Sequence, residues 1–138
     1  MGDGRATLRL TRYLDAPVIE VWAALTEPDS ISRWLARPGA VELAEGGPFE
    51  LHTAAGAATR IHGRVRAVEP ERVLELDWHP VGQEPSVVRF ELTPAGPGTT
   101  LVLDHRRLDE RVCMAYARTW ERRLDDLEAS VAAVETRR

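Results

Sequence analysis

The chain has 138 residues, a formal net charge of −4 and a pI near 5.6, so one domain over residues 1–138 is expected to bury a real core. The acidic balance excludes nucleic acid as the expected partner, because phosphate binding requires a basic face. No apolar run approaches about 18 residues, so no membrane span is expected.

Cys113 is the single cysteine of the sequence, which excludes an internal disulfide and a cysteine zinc site. No two of the four histidines have the helical spacing of a zinc motif, so we expect neither a metal nor another cofactor. The first ten residues lack a basic segment followed by an apolar core, the pattern of a secretion signal. A cytoplasmic location is therefore expected.

The first structural element is predicted to be a strand from Ala6 to Leu14, because its side chains alternate in character. Two short helices are predicted after it, the first beginning near an Asp15 N-cap and Pro17, the second at Pro28. The predicted strand has Leu8, Leu10 and Tyr13 on one face and Arg9 and Arg12 on the other. The apolar positions of the two helices are Val18, Val21, Trp22, Leu25, Ile31, Trp34 and Leu35.

After residue 39 the period of the apolar pattern becomes two, which predicts six further strands. Turn residues at Glu45–Pro48, Glu69–Glu71 and Pro94–Gly98 separate several of them. The first of them is a short strand from Ala40 to Leu43. In the later strands we expect the inward side chains to be Phe49, Leu51, Ile61, Gly63, Val65, Leu74, Leu76, Trp78, Val88, Phe90, Leu92, Leu101, Leu103 and His105.

The C-terminal segment from Asp109 to Val134 is predicted to form one long amphipathic helix. Its apolar positions at period 3.6 are Cys113, Tyr116, Ala117, Trp120, Leu124, Leu127, Val131 and Val134. One such helix needs an apolar surface to cover, and the inner face of a bent antiparallel sheet supplies it. The fold class is therefore α+β, with a curved antiparallel sheet around a long helix and a cavity between them.

A series of short motifs follows the predicted elements along nearly the whole chain. It consists of Ala16-Pro17, Val21-Trp22, Leu25-Thr26, Pro28, Trp34, Glu45-Gly46-Gly47-Pro48-Phe49, Gly63-Arg64-Val65, Pro70-Glu71-Arg72-Val73-Leu74, Trp78, Thr100-Leu101, His105 and the run from Trp120 to Leu127. In its order and spacing this series resembles the activator-of-heat-shock-chaperone-ATPase-like branch of the START/polyketide-cyclase (SRPBCC) superfamily. The resemblance implies the helix-grip fold. One difference is Thr119, where this branch usually has glycine before the tryptophan.

Two polar side chains, His105 and Tyr116, are expected to point into the interior, where each could pack with a satisfied hydrogen bond or contact a ligand. Cys113 reads as a small buried hydrophobe rather than a nucleophile. Outward positions are expected for His52, His62 and His79. The full set of predicted ligand-binding residues is Trp34, Phe49, Leu51, Trp78, Phe90, Leu103, His105, Cys113, Tyr116 and Ala117.

The favoured function is binding of a small hydrophobic or amphipathic molecule in the cavity between sheet and helix. The superfamily resemblance implies binders, transfer proteins, co-chaperone-like modules and a few enzymes, so two alternatives stay open. One is a protein-interaction module like the chaperone activator, which has a protein partner. The other is a cyclase- or hydrolase-like enzyme in which His105 and Tyr116 act as acid and base. No inward carboxylate is predicted to orient His105, so a catalytic residue is not expected.

Overall fold

The computed structural model describes residues 4–53 and 59–136, and within them the predicted succession of elements is present. One strand is followed by two short helices, six strands and a long helix. The bounds are β1 Arg5–Leu14, α1 Val18–Thr26, α2 Pro28–Trp34, β2 Arg37–Val41, β3 Phe49–Thr53, β4 Thr59–Glu69, β5 Val73–Pro80, β6 Ser86–Ala95, β7 Gly98–Asp109, a 3₁₀ turn Glu110–Val112 and α3 Cys113–Thr136.

The seven strands form one antiparallel sheet in the order β1-β7-β6-β5-β4-β3-β2. Every pair along the chain from β2 to β7 is a neighbour in the sheet, and β1 closes the other side by pairing with β7, with Arg5 opposite Asp109. Register shifts occur in β1 between Ala6 and Leu8 and in β4 between Val65 and Ala67, where such irregularities bend a strand. The sheet is curved and open, as the helix-grip prediction requires.

The core lies between the inner face of this sheet and the three helices. α3 contacts β1, α1 and α2, and Trp120, near its middle, packs against rings of β5 and β6. Its predicted inward residues Trp120, Leu124, Leu127 and Val131 are all buried. The side chain of Val134 lies outside the described residues. In the part of the chain that the structure describes, no helix is long and apolar enough to cross a membrane.

The prediction for the two faces of β1 was wrong at two positions. Tyr13 is half exposed, while Arg12 lies on the helix side of the sheet. The Arg12 guanidinium forms ion pairs with carboxylates of α3, at N···O distances of 2.9 to 3.2 Å. These ion pairs connect the edge strand β1 to α3. The three carboxylates belong to Glu121, Asp125 and Glu128.

The predicted N-cap of α1 was also wrong, and the predicted start of α2 is confirmed. Pro17 rather than Asp15 occupies the N-cap of α1, without a side-chain capping bond. Pro28 begins α2, where its missing N–H removes no helical hydrogen bond. Trp34 ends this helix with its indole N–H donating to the Ala24 carbonyl oxygen at 2.7 Å, which fixes α2 against α1.

The predicted start of the long helix at Asp109 was early by four residues. Asp109 is the last residue of β7, and its carboxylate accepts the backbone N–H of Arg111 at 2.9 Å, capping the 3₁₀ turn. α3 begins after that turn, at Cys113. The turn places the first helical residues beside the end of β5, where the candidate site lies.

Candidate functional site

The polar centre of the interior is a chain of hydrogen bonds through His105. The Trp120 indole N–H donates to His105 Nδ1 at 3.0 Å, so Nδ1 is the acceptor of the ring. The other nitrogen, Nε2, therefore carries the proton and donates to Ser86 Oγ at 2.7 Å. Ser86 in turn donates to the Trp78 carbonyl oxygen at 3.3 Å. Every polar atom of this buried chain is satisfied, which links α3 to β5, β6 and β7.

Burial holds His105 in its neutral form. The imidazole is completely buried, and burial lowers the pKa of His105 from its usual 6.5 to about 3, with the nearby Arg123 charge acting in the same direction. Aromatic rings surround it, with the Tyr116 ring edge-on at 4.6 Å between centroids. His105 is therefore a structural histidine with both nitrogens engaged, and neither is free to act on a ligand.

A cavity of about 270 Å³ opens beside this chain, between the start of α3 and the strands β4 and β5. Its walls are mostly apolar, with a few polar groups, which is the composition of small-molecule sites. Its lining residues are Ile61, Trp78, Pro80, Gln83, Val112, Ala115, Tyr116, Thr119 and Arg123.

Two residues that line this cavity each have a buried hydrogen-bond donor with no acceptor in good geometry among the described residues. The two donors are the indole Nε1 of Trp78, a residue 1% exposed, and Nη1 of Arg123. The Arg123 guanidinium lies over the Trp120 ring at 4.9 Å and over the Trp78 ring at 5.9 Å. Burial lowers the pKa of Arg123, and a buried donor without a partner is unfavourable. The residues that line the cavity therefore include two with a buried, unpaired donor, and one of these two carries a positive charge.

Tyr116 forms the partition between this cavity and a neighbouring hollow of similar volume. Its hydroxyl donates to Gln83 Oε1 at 3.0 Å, and both residues line both spaces. Burial raises the pKa of Tyr116, against the smaller opposite effects of the Trp78 indole and the Arg123 charge. The phenol is thus protonated near neutral pH and engaged with an amide.

The ten predicted ligand-binding residues occupy two different environments. Trp78 and Tyr116 line the cavity, and Cys113 and Ala117 are half-buried on the same helix. The other six are fully buried and packed against one another, as in the edge-on contact of Trp34 and Phe90 at 6.0 Å. Whether any of the ten contacts a ligand stays a prediction. The six packed residues are Trp34, Phe49, Leu51, Phe90, Leu103 and His105.

Arg123 is a cavity residue that was not predicted, although its position in the sequence carried a signal. Arg123 follows Trp120 by three positions and Tyr116 by seven, so helical spacing places it on the buried stripe. An arginine within an apolar stripe indicates either a long side chain reaching solvent or a buried charge. The lining residues Gln83 and Pro80 come from the β5–β6 turn region and carried no such periodic signal.

A larger hollow of about 610 Å³ lies on the outer face of the sheet, away from α3. It is bordered by His62 and His79, whose predicted outward orientation is confirmed by their exposure, while His52 is half-buried. Among the described residues, no group of three or more histidine, cysteine or acidic side chains is arranged to hold a metal. The outer hollow also lacks the buried unpaired donors that mark the inner cavity.

Comparison with solved structures supports the fold assignment. A protein from Mesorhizobium loti, MLL2253, matches with a TM-score of 0.84 and 28% identity over 93% of this chain and 98% of that one. CalU16 from Micromonospora echinospora is 35% identical, with a TM-score of 0.77 over 88% of this chain and 71% of its own. DynU16, from the dynemicin biosynthetic locus, is 24% identical and shows the same fold, over 93% of this chain and 47% of its own, with a TM-score of 0.81.

No curated protein sequence matches the chain. The family model for the Activator of Hsp90 ATPase homolog 1-like protein matches residues 15–132, which contain both short helices, β2 to β7 and most of α3. The chain therefore belongs to the Activator of Hsp90 ATPase homolog 1-like family, within the SRPBCC superfamily of helix-grip folds.

Proposed function

We propose that the protein binds a small amphipathic molecule in the cavity between α3 and the β4–β5 strands. The observation that carries this proposal is a hollow of about 270 Å³ with apolar walls and two buried donors on one side. Folds of this type typically bind ligands in a cavity between sheet and helix. The apolar body of the ligand contacts Ile61, Pro80, Val112 and Ala115, and its polar end faces Trp78 and Arg123.

The geometry favours binding over catalysis by the two residues considered for acid and base roles. Both nitrogens of His105 are occupied by Trp120 and Ser86, and the ring lies outside the cavity lining. The Tyr116 hydroxyl is bound to Gln83, and burial raises its pKa further above the working range. His105 is therefore not placed to exchange a proton with a molecule in the cavity, and the Tyr116 phenol, although it lines the cavity, keeps its proton near neutral pH.

The protein-interaction alternative calls for an exposed apolar patch. The large apolar side chains that the described structure exposes come from five separate segments rather than one helix face or one strand. They are Tyr13, Ile19, Leu43, Val81 and Met114. Individual exposed hydrophobes from different elements are normal on a monomer surface, so these five residues by themselves do not favour this alternative.

The cavity can be tested with prodan, a neutral two-ring fluorophore. We expect the emission of prodan to increase on binding. The expected dissociation constant is in the micromolar range, which corresponds to a binding free energy on the order of −8 kcal/mol. Thr119→Trp places an indole in the cavity and should weaken binding at least tenfold. Met114→Trp adds the same ring to the same helix at an exposed position and should leave binding unchanged.

The two variants separate a cavity from a surface effect. If both bind prodan as the parent does, the ligand does not occupy the space beside Thr119 and the proposal is wrong. Circular dichroism of both variants shows whether the fold is retained, and Thr119 tolerates the change because its side chain is only half-buried.

A further inference from the structure

We infer that the ligand of this cavity is a carboxylate on an apolar body of one or two rings, with its oxygens between the Trp78 indole N–H and Arg123 Nη1. This inference rests on the proposed function and specifies the class of molecule. It follows from three features of the cavity wall: an unpaired neutral donor, an unpaired cationic donor and an apolar remainder.

The first feature is the indole N–H of Trp78. A buried tryptophan N–H normally finds an acceptor, and in this protein Trp34 and Trp120 both do, with the Ala24 carbonyl oxygen and His105 Nδ1. Trp78 is as buried as they are and lines the cavity, yet its Nε1 has no acceptor in good hydrogen-bond geometry among the described residues. The nearby Tyr116 hydroxyl feels the indole N–H, which acts to lower the pKa of that phenol. A ligand in the cavity that offers an oxygen acceptor could accept a hydrogen bond from the Trp78 indole N–H, as protein atoms do for Trp34 and Trp120.

The second feature is the charge of Arg123. Its Nη1 is buried without a hydrogen-bond partner, and none of the ion pairs between described residues includes this arginine. The rings of Trp78 and Trp120 stabilise the cation through its face but leave its N–H groups open. On its other side the guanidinium borders a groove with Arg33, Arg37 and Asp126, so the surroundings carry no excess of negative charge.

The third feature is the shape and chemistry of the rest of the cavity. A planar guanidinium matches a carboxylate, and charge-assisted bonds of this kind are stronger than neutral ones. An engineered cavity of about 150 Å³ holds benzene, so about 270 Å³ suits a one- or two-ring body. Trp78 and Tyr116 provide aromatic walls next to the donors, which favours a ring directly attached to the carboxylate.

The test compares acids with primary amides of the same shape, because an amide keeps the carbonyl acceptor and loses the charge. The pairs are benzoate with benzamide, 2-naphthoate with 2-naphthamide, and decanoate with decanamide, measured by titration calorimetry at pH 7. We expect the parent to bind benzoate or 2-naphthoate ten times or more tightly than the matching amide, whereas a preference confined to decanoate would contradict the ring body. Arg123→Gln should remove this preference, because the acid then loses its cationic partner and binds no more tightly than its amide.

Arg122→Gln is the matched control, since it removes the same charge from the adjacent, exposed position of α3. It should keep the full preference for the acid. Trp78→Phe retains a ring and deletes the N–H, and it should reduce acid affinity several-fold. In a proton–nitrogen correlation spectrum of the parent, the Trp78 indole signal should move on addition of the acid, while the Trp34 signal stays in place.

The outcomes distinguish this inference from the proposed function. Equal affinity for acid and amide in the parent, or a preference that survives Arg123→Gln, overturns the inference, and prodan binding blocked by Thr119→Trp then leaves the proposed function standing. If neither the pairs nor prodan bind, both are wrong. A preference that disappears equally in Arg122→Gln assigns the effect to general surface charge and also overturns the inference.

Discussion

Replacing Trp120 by alanine is expected to lower the free energy of unfolding by about 3–5 kcal/mol, the range for truncation of a fully buried large aromatic side chain. Trp120 is 0% exposed and contacts the Trp78, Phe90 and His105 rings at centroid distances of 5.5 to 6.0 Å. Its indole N–H also begins the hydrogen-bond chain through His105. Urea unfolding followed by circular dichroism measures the loss.

Two further variants divide this effect into its parts. Trp120→Phe keeps a ring but leaves His105 Nδ1 without a donor, and an unsatisfied buried acceptor costs about 1–3 kcal/mol. Met114→Ala, on the same helix but 69% exposed, should change stability by no more than about 0.5 kcal/mol. A loss below about 1 kcal/mol for Trp120→Ala would show that the helix does not pack on the sheet through this residue.

Acidification from pH 7 to pH 5 is expected to lower the free energy of unfolding by about 2 kcal/mol through His105 alone. Its folded-state pKa of about 3 lies below the usual 6.5, so the unfolded chain takes up a proton that the folded chain does not. The stability is therefore complete above pH 6.5 and declines by about 1.4 kcal/mol for each pH unit between about 6 and 3. Urea unfolding at half-unit pH steps measures this slope.

His105→Gln should remove most of that slope, because the amide does not titrate. His79→Gln, at an exposed position, should retain it. The window from pH 7 to pH 5 is chosen because carboxylates remain ionised there in both states. Equal stability of the parent at pH 7 and pH 5 would mean that His105 is protonated inside the fold, and would contradict the hydrogen-bond assignment through Nδ1.

The fold could be predicted because apolar side chains recur at every second position along the central strands. Leu74, Leu76 and Trp78 face the core at period two, and the six-strand order followed from such runs separated by turns. The amphipathic stripe of α3 required one covering surface, and only the sheet offered it. Both patterns are local in sequence, and both are satisfied by the same arrangement, with the apolar stripe of the helix packed on the apolar face of the sheet. The sequence was therefore sufficient to predict the fold.

The parts that the sequence did not reveal depend on contacts between distant segments. Arg12 lies inward because its guanidinium forms ion pairs with three carboxylates of α3, which are more than one hundred residues away in sequence. These carboxylates belong to Glu121, Asp125 and Glu128. His105 was expected to point inward, but its partners Ser86 and Trp120 are joined to it only by the folded geometry. Periodicity likewise could not show that rings would fill most of the interior and leave the cavity near one end of α3.

The pairing of β1 with β7 has a consequence for the order of folding. Arg9 and Asp104 face one another across this pair and are 95 positions apart in sequence, so β1 pairs with a strand that is synthesised after all the other strands of this sheet. Contacts between such distant segments slow folding, because a long loop must close before they form. The hairpins from β2 to β7 can form earlier from near neighbours, and β1 then completes the edge together with α3. A nascent chain that ends before Gly98 therefore exposes Leu8 and Leu10 without a partner strand.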